Sequence, residues 1–217
     1  MNRGLVAALF ALFTVNAVAT AVQHVADAIA DPSPRAWLVG GFWLLKTGVV
    51  GAFLWAVARR PPAKRPAREP AAFVACAAAI LGAIALRGPD DGVSTGMLIA
   101  GEAVALASCA FLLASVLALG TCFGVLPEAR GLVTRGPYRL VRHPVYVGEL
   151  GVCAGLVMGA PTAWNLVAAV VLVAGQLWRM RLEERALARE FPDYAAYAAR
   201  TPRLLPLPTR LRPLEVS

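Results

Sequence analysis

Charge is what this sequence has least of. Only 16% of its 217 residues are Asp, Glu, Lys or Arg, 59% are apolar, and the mean hydropathy is +0.64. A soluble domain is closer to a quarter charged and half apolar, so these values point to an integral membrane protein. Acidic residues are scarcer than basic ones, 13 against 21, which gives a net charge of +8. The basic residues lie in short runs between long apolar segments, as in cytoplasmic membrane loops, so nucleic-acid binding is not expected. The four cysteines, Cys76, Cys109, Cys122 and Cys153, form no C-x-x-C pair. Neither a zinc site nor a disulfide framework is expected from them, and buried free thiols are the default. A G-x-G-x-x-G fingerprint is also missing, which argues against a soluble Rossmann-type nucleotide fold.

What is present is a series of apolar segments. Gly4 to about Ala30 is the first, read as a span rather than a cleaved leader because it is too long and carries Asn16, Gln23, His24 and Asp27. Trp37 to Ala58, Ala71 to Leu86 and Gly96 to Leu119 follow. A spanning helix needs about 20 apolar residues, which the third segment barely approaches. Pro144 to Gly159 and Ala163 to Trp178 are shorter, about 24 Å each as helices, and predict a helical hairpin. The linker with Arg59, Arg60, Lys64, Arg65 and Arg68 should be cytoplasmic. Counting spans from it puts the turns at Asp31 and Asp90-Asp91 outside, and both termini and the Arg130–Arg142 loop inside. Within the spans, His24 and Asp27 read as an interfacial pair and Lys46 as a snorkelling side chain. Glu102 is a candidate cavity-lining group. Gly40-Gly41 and Gly48-Gly51 read as close helix packing.

The polar stretch Leu132-Val133-Thr134-Arg135-Gly136-Pro137-Tyr138-Arg139-Leu140-Val141-Arg142-His143-Pro144-Val145-Tyr146-Val147-Gly148 interrupts this series. Gly136-Pro137 signals a turn, and Pro144 suits the first position of a new helix. His143 and Tyr146, three apart, share a helix face. Beyond Trp178 the last apolar helix runs without a break into Arg179-Met180-Arg181-Leu182-Glu183-Glu184-Arg185. Arg179 and Glu183 are four apart and also share a face. Two polar faces are thus expected to converge at one membrane edge.

Arg142-His143-Pro144-Val145-Tyr146-Val147-Gly148, followed by Glu183-Glu184-Arg185-Ala186-Leu187, resembles the isoprenylcysteine carboxyl methyltransferase and phospholipid methyltransferase family of membrane enzymes. Leu132-Val133-Thr134-Arg135-Gly136-Pro137-Tyr138 is similar to its entry segment. Phe191-Pro192-Asp193-Tyr194-Ala195-Ala196-Tyr197 and Arg203-Leu204-Leu205-Pro206 are similar to its tail. The resemblance implies S-adenosylmethionine as cofactor, with Leu132, Val133, Tyr138, His143, Pro144, Val145, Tyr146 and Glu183 as its contacts. It implies Arg179 as the substrate-binding residue, and Arg179 and Glu183 as the pair at the reaction centre. Glu184 or His143 would take a proton if the acceptor were an amine. The segment Phe191-Pro192-Asp193-Tyr194 is shorter than the family's, and Arg130-Gly131 stands where prenylcysteine enzymes carry a histidine.

The expected fold is all-α, a polytopic membrane helix bundle with a C-terminal helical hairpin and a cytoplasmic cofactor pocket. Residues 1–120 would form a four-segment membrane region, and residues 121–217 the cofactor loop, hairpin and C-terminal helix. The expected partners are a lipophilic methyl acceptor and membrane lipids, in what composition suggests is a bacterial cytoplasmic membrane. The sequence leaves open an NADPH-dependent reductase of the steroid-reductase type and a non-catalytic membrane assembly protein.

Overall fold

The computed structural model describes residues 3–61, 69–88 and 92–205. Lys64, Arg65 and Arg68 of the basic linker, the Asp90-Asp91 turn and the tail from Pro206 lie outside the described residues. All regular structure described is helical: α1 (Arg3–Ala30), α2 (Pro34–Arg59), α3 (Pro70–Ala85), α4 (Thr95–Leu119), α5 (Pro144–Gly159), α6 (Ala163–Glu190) and α7 (Tyr194–Arg200). Short 3-10 turns occupy Gly120–Cys122 and Gly136–Arg139. Helices α1, α2, α4 and α6 are long and apolar enough to cross a membrane, whereas α3 and α5 are shorter apolar helices. The protein is an all-α, polytopic membrane bundle.

Local chemistry sets the helix ends close to where the sequence places them. Ser33, Ser94 and Thr162 cap α2, α4 and α6 by accepting from Ala36, Met97 and Asn165 backbone N–H groups, each satisfying an otherwise orphaned donor. Pro34, Pro70 and Pro144 begin α2, α3 and α5, where a missing N–H costs nothing. Gly120 takes a φ of 57° to end α4, a backbone region open to glycine without strain. The second half of α6 is a charged continuation of its apolar half, so a single 28-residue rod carries both.

Small residues decide which helices pair. A Cβ on Gly155 of α5 would stand 2.5 Å from Gly101 O of α4, and one on Gly175 of α6 would stand 2.5 Å from Ala79 N of α3. Backbones therefore touch along α4–α5 and α3–α6, the close approach by which helices associate in lipid. Helix α1 packs on α2, and α2 on α4. Phe42, Val49 and Ala52 of α2 meet Ala105, Cys109, Leu112 and Val116 of α4, with Val145 of α5 at one end.

The predicted α5–α6 hairpin is present as a connection, but its two legs lean apart, α5 onto α4 and α6 onto α3. Buried Asn165 holds the turn end. Its Nδ2 donates to Ala160 O at 2.8 Å and Arg87 O at 3.3 Å, and its Oδ1 accepts from Arg87 N at 2.9 Å. Trp164 Nε1 donates to Ala85 O at 2.8 Å. These bonds tie α6 to the end of α3. At the opposite end the legs meet again through polar side chains.

Candidate active site

The loop between α4 and α5 folds over the far end of the bundle. Phe123 anchors it, its ring 4.4 Å from that of Phe53 in α2. Gly136, with φ 59°, opens the turn that buries Tyr138. The tail after α7 straps the same loop: Arg142 N donates to Pro202 O at 2.8 Å, and His143 N to Arg203 O at 3.2 Å. Tyr197 adds a third tie by donating its hydroxyl to Tyr138 O at 2.7 Å.

Under this strap lie the residues singled out by their spacing. Tyr146 donates its hydroxyl to Glu183 Oε2 at 2.8 Å, joining two motifs 37 positions apart. The His143 and Tyr146 rings stack with centroids 5.4 Å apart. His143 Nε2 faces Glu184 Oε1 at 3.1 Å. Arg203 forks onto the same carboxylate at 3.0 and 2.5 Å, and Arg142 approaches it at 3.5 Å. Glu184 is thereby committed to three partners and serves as a clamp between α6, the loop and the tail.

A small cleft, partly open to solvent, lies beside this clamp. Leu132, Val133, Tyr138, His143 and Glu183 line it together with Glu128, Arg142, Leu187 and Tyr194. Pro144, Val145 and Tyr146 are buried behind its wall. Burial pushes the Tyr138 phenol well above its ordinary value, with the Glu183 carboxylate adding to the shift. Burial also raises Tyr194 to about 12. Both phenols therefore keep their protons at neutral pH. The Tyr194 hydroxyl and Arg142 Nε are buried without hydrogen-bond partners.

Arg179 does not line this cleft; its guanidinium lies 5.3 Å from the Tyr146 ring centroid. Its Nη2 donates to Val125 O at 3.0 Å, a carbonyl that also accepts from the Cys76 thiol at 3.2 Å. Its Nη1 donates to Gln176 Oε1 at 3.1 Å, and Gln176 Nε2 in turn donates to Glu149 Oε2. Motif spacing singles out neither Glu149 nor Gln176. Their signal was a polar side chain inside each of two apolar runs, which is unusual at membrane depth. At the far end, His24 stacks on Trp43 with centroids 5.7 Å apart and reaches Asp27 at 4.0 Å. Lys46 Nζ lies 4.1 Å from the Trp43 ring centroid. Among the described residues no three His, Cys, Asp or Glu side chains group as a metal-ligand set.

The phospholipid methyltransferase family matches residues 92–194, from the start of α4 to the start of α7. The match covers a little under half of the chain, and the family it points to falls within the isoprenylcysteine carboxyl methyltransferase-like group of membrane methyltransferases. Two relatives match over a shorter stretch. The cobalt-zinc-cadmium resistance protein CzcN of Cupriavidus metallidurans is 47% identical over 78 residues, 35% of this chain and 35% of the relative. The nickel-cobalt-cadmium resistance protein NccN of Alcaligenes xylosoxydans xylosoxydans is 41% identical over 78 residues, 35% of this chain and 36% of the relative. The matched stretch thus spans about a third of each relative's length.

Proposed function

We propose that this protein transfers a methyl group from S-adenosylmethionine to a lipophilic acceptor that enters from the membrane, with the donor bound on the cytoplasmic side. The observation that carries the proposal is the Tyr146–Glu183 hydrogen bond of 2.8 Å at the wall of the cleft. It joins two halves of a family motif into one surface. The cleft's chemistry fits the donor. Leu132, Val133 and Leu187 offer apolar walls, Glu183 offers negative charge to a sulfonium or ammonium, and the unpartnered Tyr194 hydroxyl and Arg142 Nε offer polar contacts.

The bound donor would supply an electrophilic methyl group on a positively charged sulfur. The chain's own residues align and exclude. The strap of Pro202 and Arg203 holds Arg142 and His143 at the cleft wall and Tyr197 holds Tyr138, and alignment of nucleophile with methyl is the main contribution asked of such a site. Closure against water favours the more charge-dispersed transition state over solvated reactants. Arg179, packed on the Tyr146 ring, would hold the acceptor. With Glu184 committed to His143, Arg142 and Arg203, a carboxylate or other acceptor needing no general base suits the site better than one needing proton removal. The two relatives are named for metal resistance; the reading for this chain is methyl transfer.

Isothermal titration of the purified protein with S-adenosylmethionine tests the donor. Binding is expected, and His143→Ala or Glu183→Ala is expected to weaken it. A wild-type protein that binds no donor, or two variants that bind as well as wild type, would falsify the proposal. A labelled-methyl assay on membranes, followed by lipid extraction, identifies the fraction that accepts the label.

A further inference from the structure

Glu149 on α5 and Gln176 on α6 take no part in the steps above, yet they form the polar bridge between the two splayed legs. Gln176 is only 4% exposed. Its amide is fixed from both sides: Nε2 donates to Glu149 Oε2, and Oε1 accepts from Arg179 Nη1. An amide has donors at one end and an acceptor at the other. Flipping it would set NH2 against the guanidinium and oxygen against the carboxylate, so Glu149 dictates which end faces Arg179.

Both hydrogen bonds of Arg179 go to neutral oxygens, Gln176 Oε1 and Val125 O. Its Nε is buried with no partner. A desolvated guanidinium bonded to neutral oxygens retains its whole charge and has donors to spare. Direct pairing with Glu149 would quench that charge. The intervening amide sits between guanidinium and carboxyl and bonds to both.

We propose that Glu149 and Gln176 are positioning residues for Arg179, holding its guanidinium open toward an anionic group, carboxylate or phosphate, on the lipophilic acceptor. This rests on the reading that the acceptor meets Arg179. Because the relay acts through the orientation of an amide, the charge on Glu149 is dispensable and its hydrogen-bond acceptor is not.

The test is calorimetric binding of decanoate and of decyl phosphate to the full chain in nonionic detergent, the two probes separating carboxylate from phosphate. Wild type is expected to bind at least one of them. Arg179→Ala, Gln176→Leu and Glu149→Ala should each weaken that binding about tenfold, the scale of losing one charged hydrogen bond. Glu149→Gln, whose amide oxygen still accepts from Gln176, should stay within about threefold of wild type. The proposal is overturned if neither probe binds wild type, if Arg179→Ala binds as wild type does, or if Glu149→Ala and Glu149→Gln change together. Melting temperature shows whether each variant folds, and Gln176→Leu and Glu149→Gln decide the matter if Glu149→Ala does not. Titration with S-adenosylmethionine is run separately. A failure there sinks the methyl-donor reading and leaves the anion result standing.

Discussion

Helix pairs α4–α5 and α3–α6 hold together in a different way from the pair α5–α6. The first two meet backbone to backbone, with glycines where a single methyl would collide with a carbonyl or amide. Helices α5 and α6 are neighbours in sequence, joined by a short turn, and yet meet mainly at one end through Tyr146–Glu183, His143–Glu184 and Glu149–Gln176. The contrast separates scaffold from chemistry. In lipid, apolar surfaces gain little by meeting one another, so close packing of small residues decides pairing. Unpaired polar groups are costly there, so they gather where two scaffolded pairs are forced together. The cluster proposed as the site lies at that seam.

The contrast can be broken from the scaffold side first. Gly155→Val sets a branched side chain against Gly101 O and Ala105 N. Overpacking against backbone should cost about 3 kcal/mol, read as a large drop in melting temperature with loss of donor binding. An unchanged melting temperature would show that α4 and α5 are not held by contact at this seam.

Next in size is Glu183→Ala, which removes the acceptor for the Tyr146 hydroxyl and leaves a buried donor unsatisfied. Losing that bond lowers stability by about 2 kcal/mol, and losing a charged contact of similar size to the bound sulfonium would lower its affinity about 30-fold. The melting temperature should move less than in Gly155→Val. If stability falls while affinity holds, Glu183 belongs to the scaffold.

Smaller still is Arg203→Ala. Its side chain is 46% exposed, and exposed ion pairs contribute at most about 1 kcal/mol. The backbone bonds from Arg142 N and His143 N to the tail survive the change, so donor affinity should fall about threefold or less, and more salt should shrink the difference. Last comes Leu12→Ala on α1, a position 66% exposed on the outer surface of the bundle. It touches neither seam nor cluster. Melting temperature and donor affinity should match wild type within about 0.5 kcal/mol.

Much of this was legible in the chain. The helix boundaries follow from Ser33, Ser94, Thr162 and the prolines at helix starts, because caps act within one turn and need no tertiary partner. The stacking of His143 on Tyr146 also reads locally from helical spacing, whereas Arg179 and Glu183 share that spacing but bond elsewhere, Arg179 to Gln176 and Val125 and Glu183 to Tyr146. The splaying of α5 from α6 did not, because it depends on Gly175 finding Ala79 and Gly155 finding Gly101, partners far away in sequence. Glu149 and Gln176 were visible as residues, but nothing within a few positions of either says that they meet. Arg203 was legible as part of a tail motif, but its grip on Glu184 was not.

By itself, the sequence determined that this is a membrane-spanning helical protein with a charged extension and a polar loop, because hydropathy and capping are properties of short stretches. The tertiary structure alone decided that the loop, α6 and α7 line one cleft, and that Arg179 packs on the Tyr146 ring without lining it. The physical reason is that a site is a set of distances between side chains on different helices, and those distances are fixed by which backbones come close enough to touch.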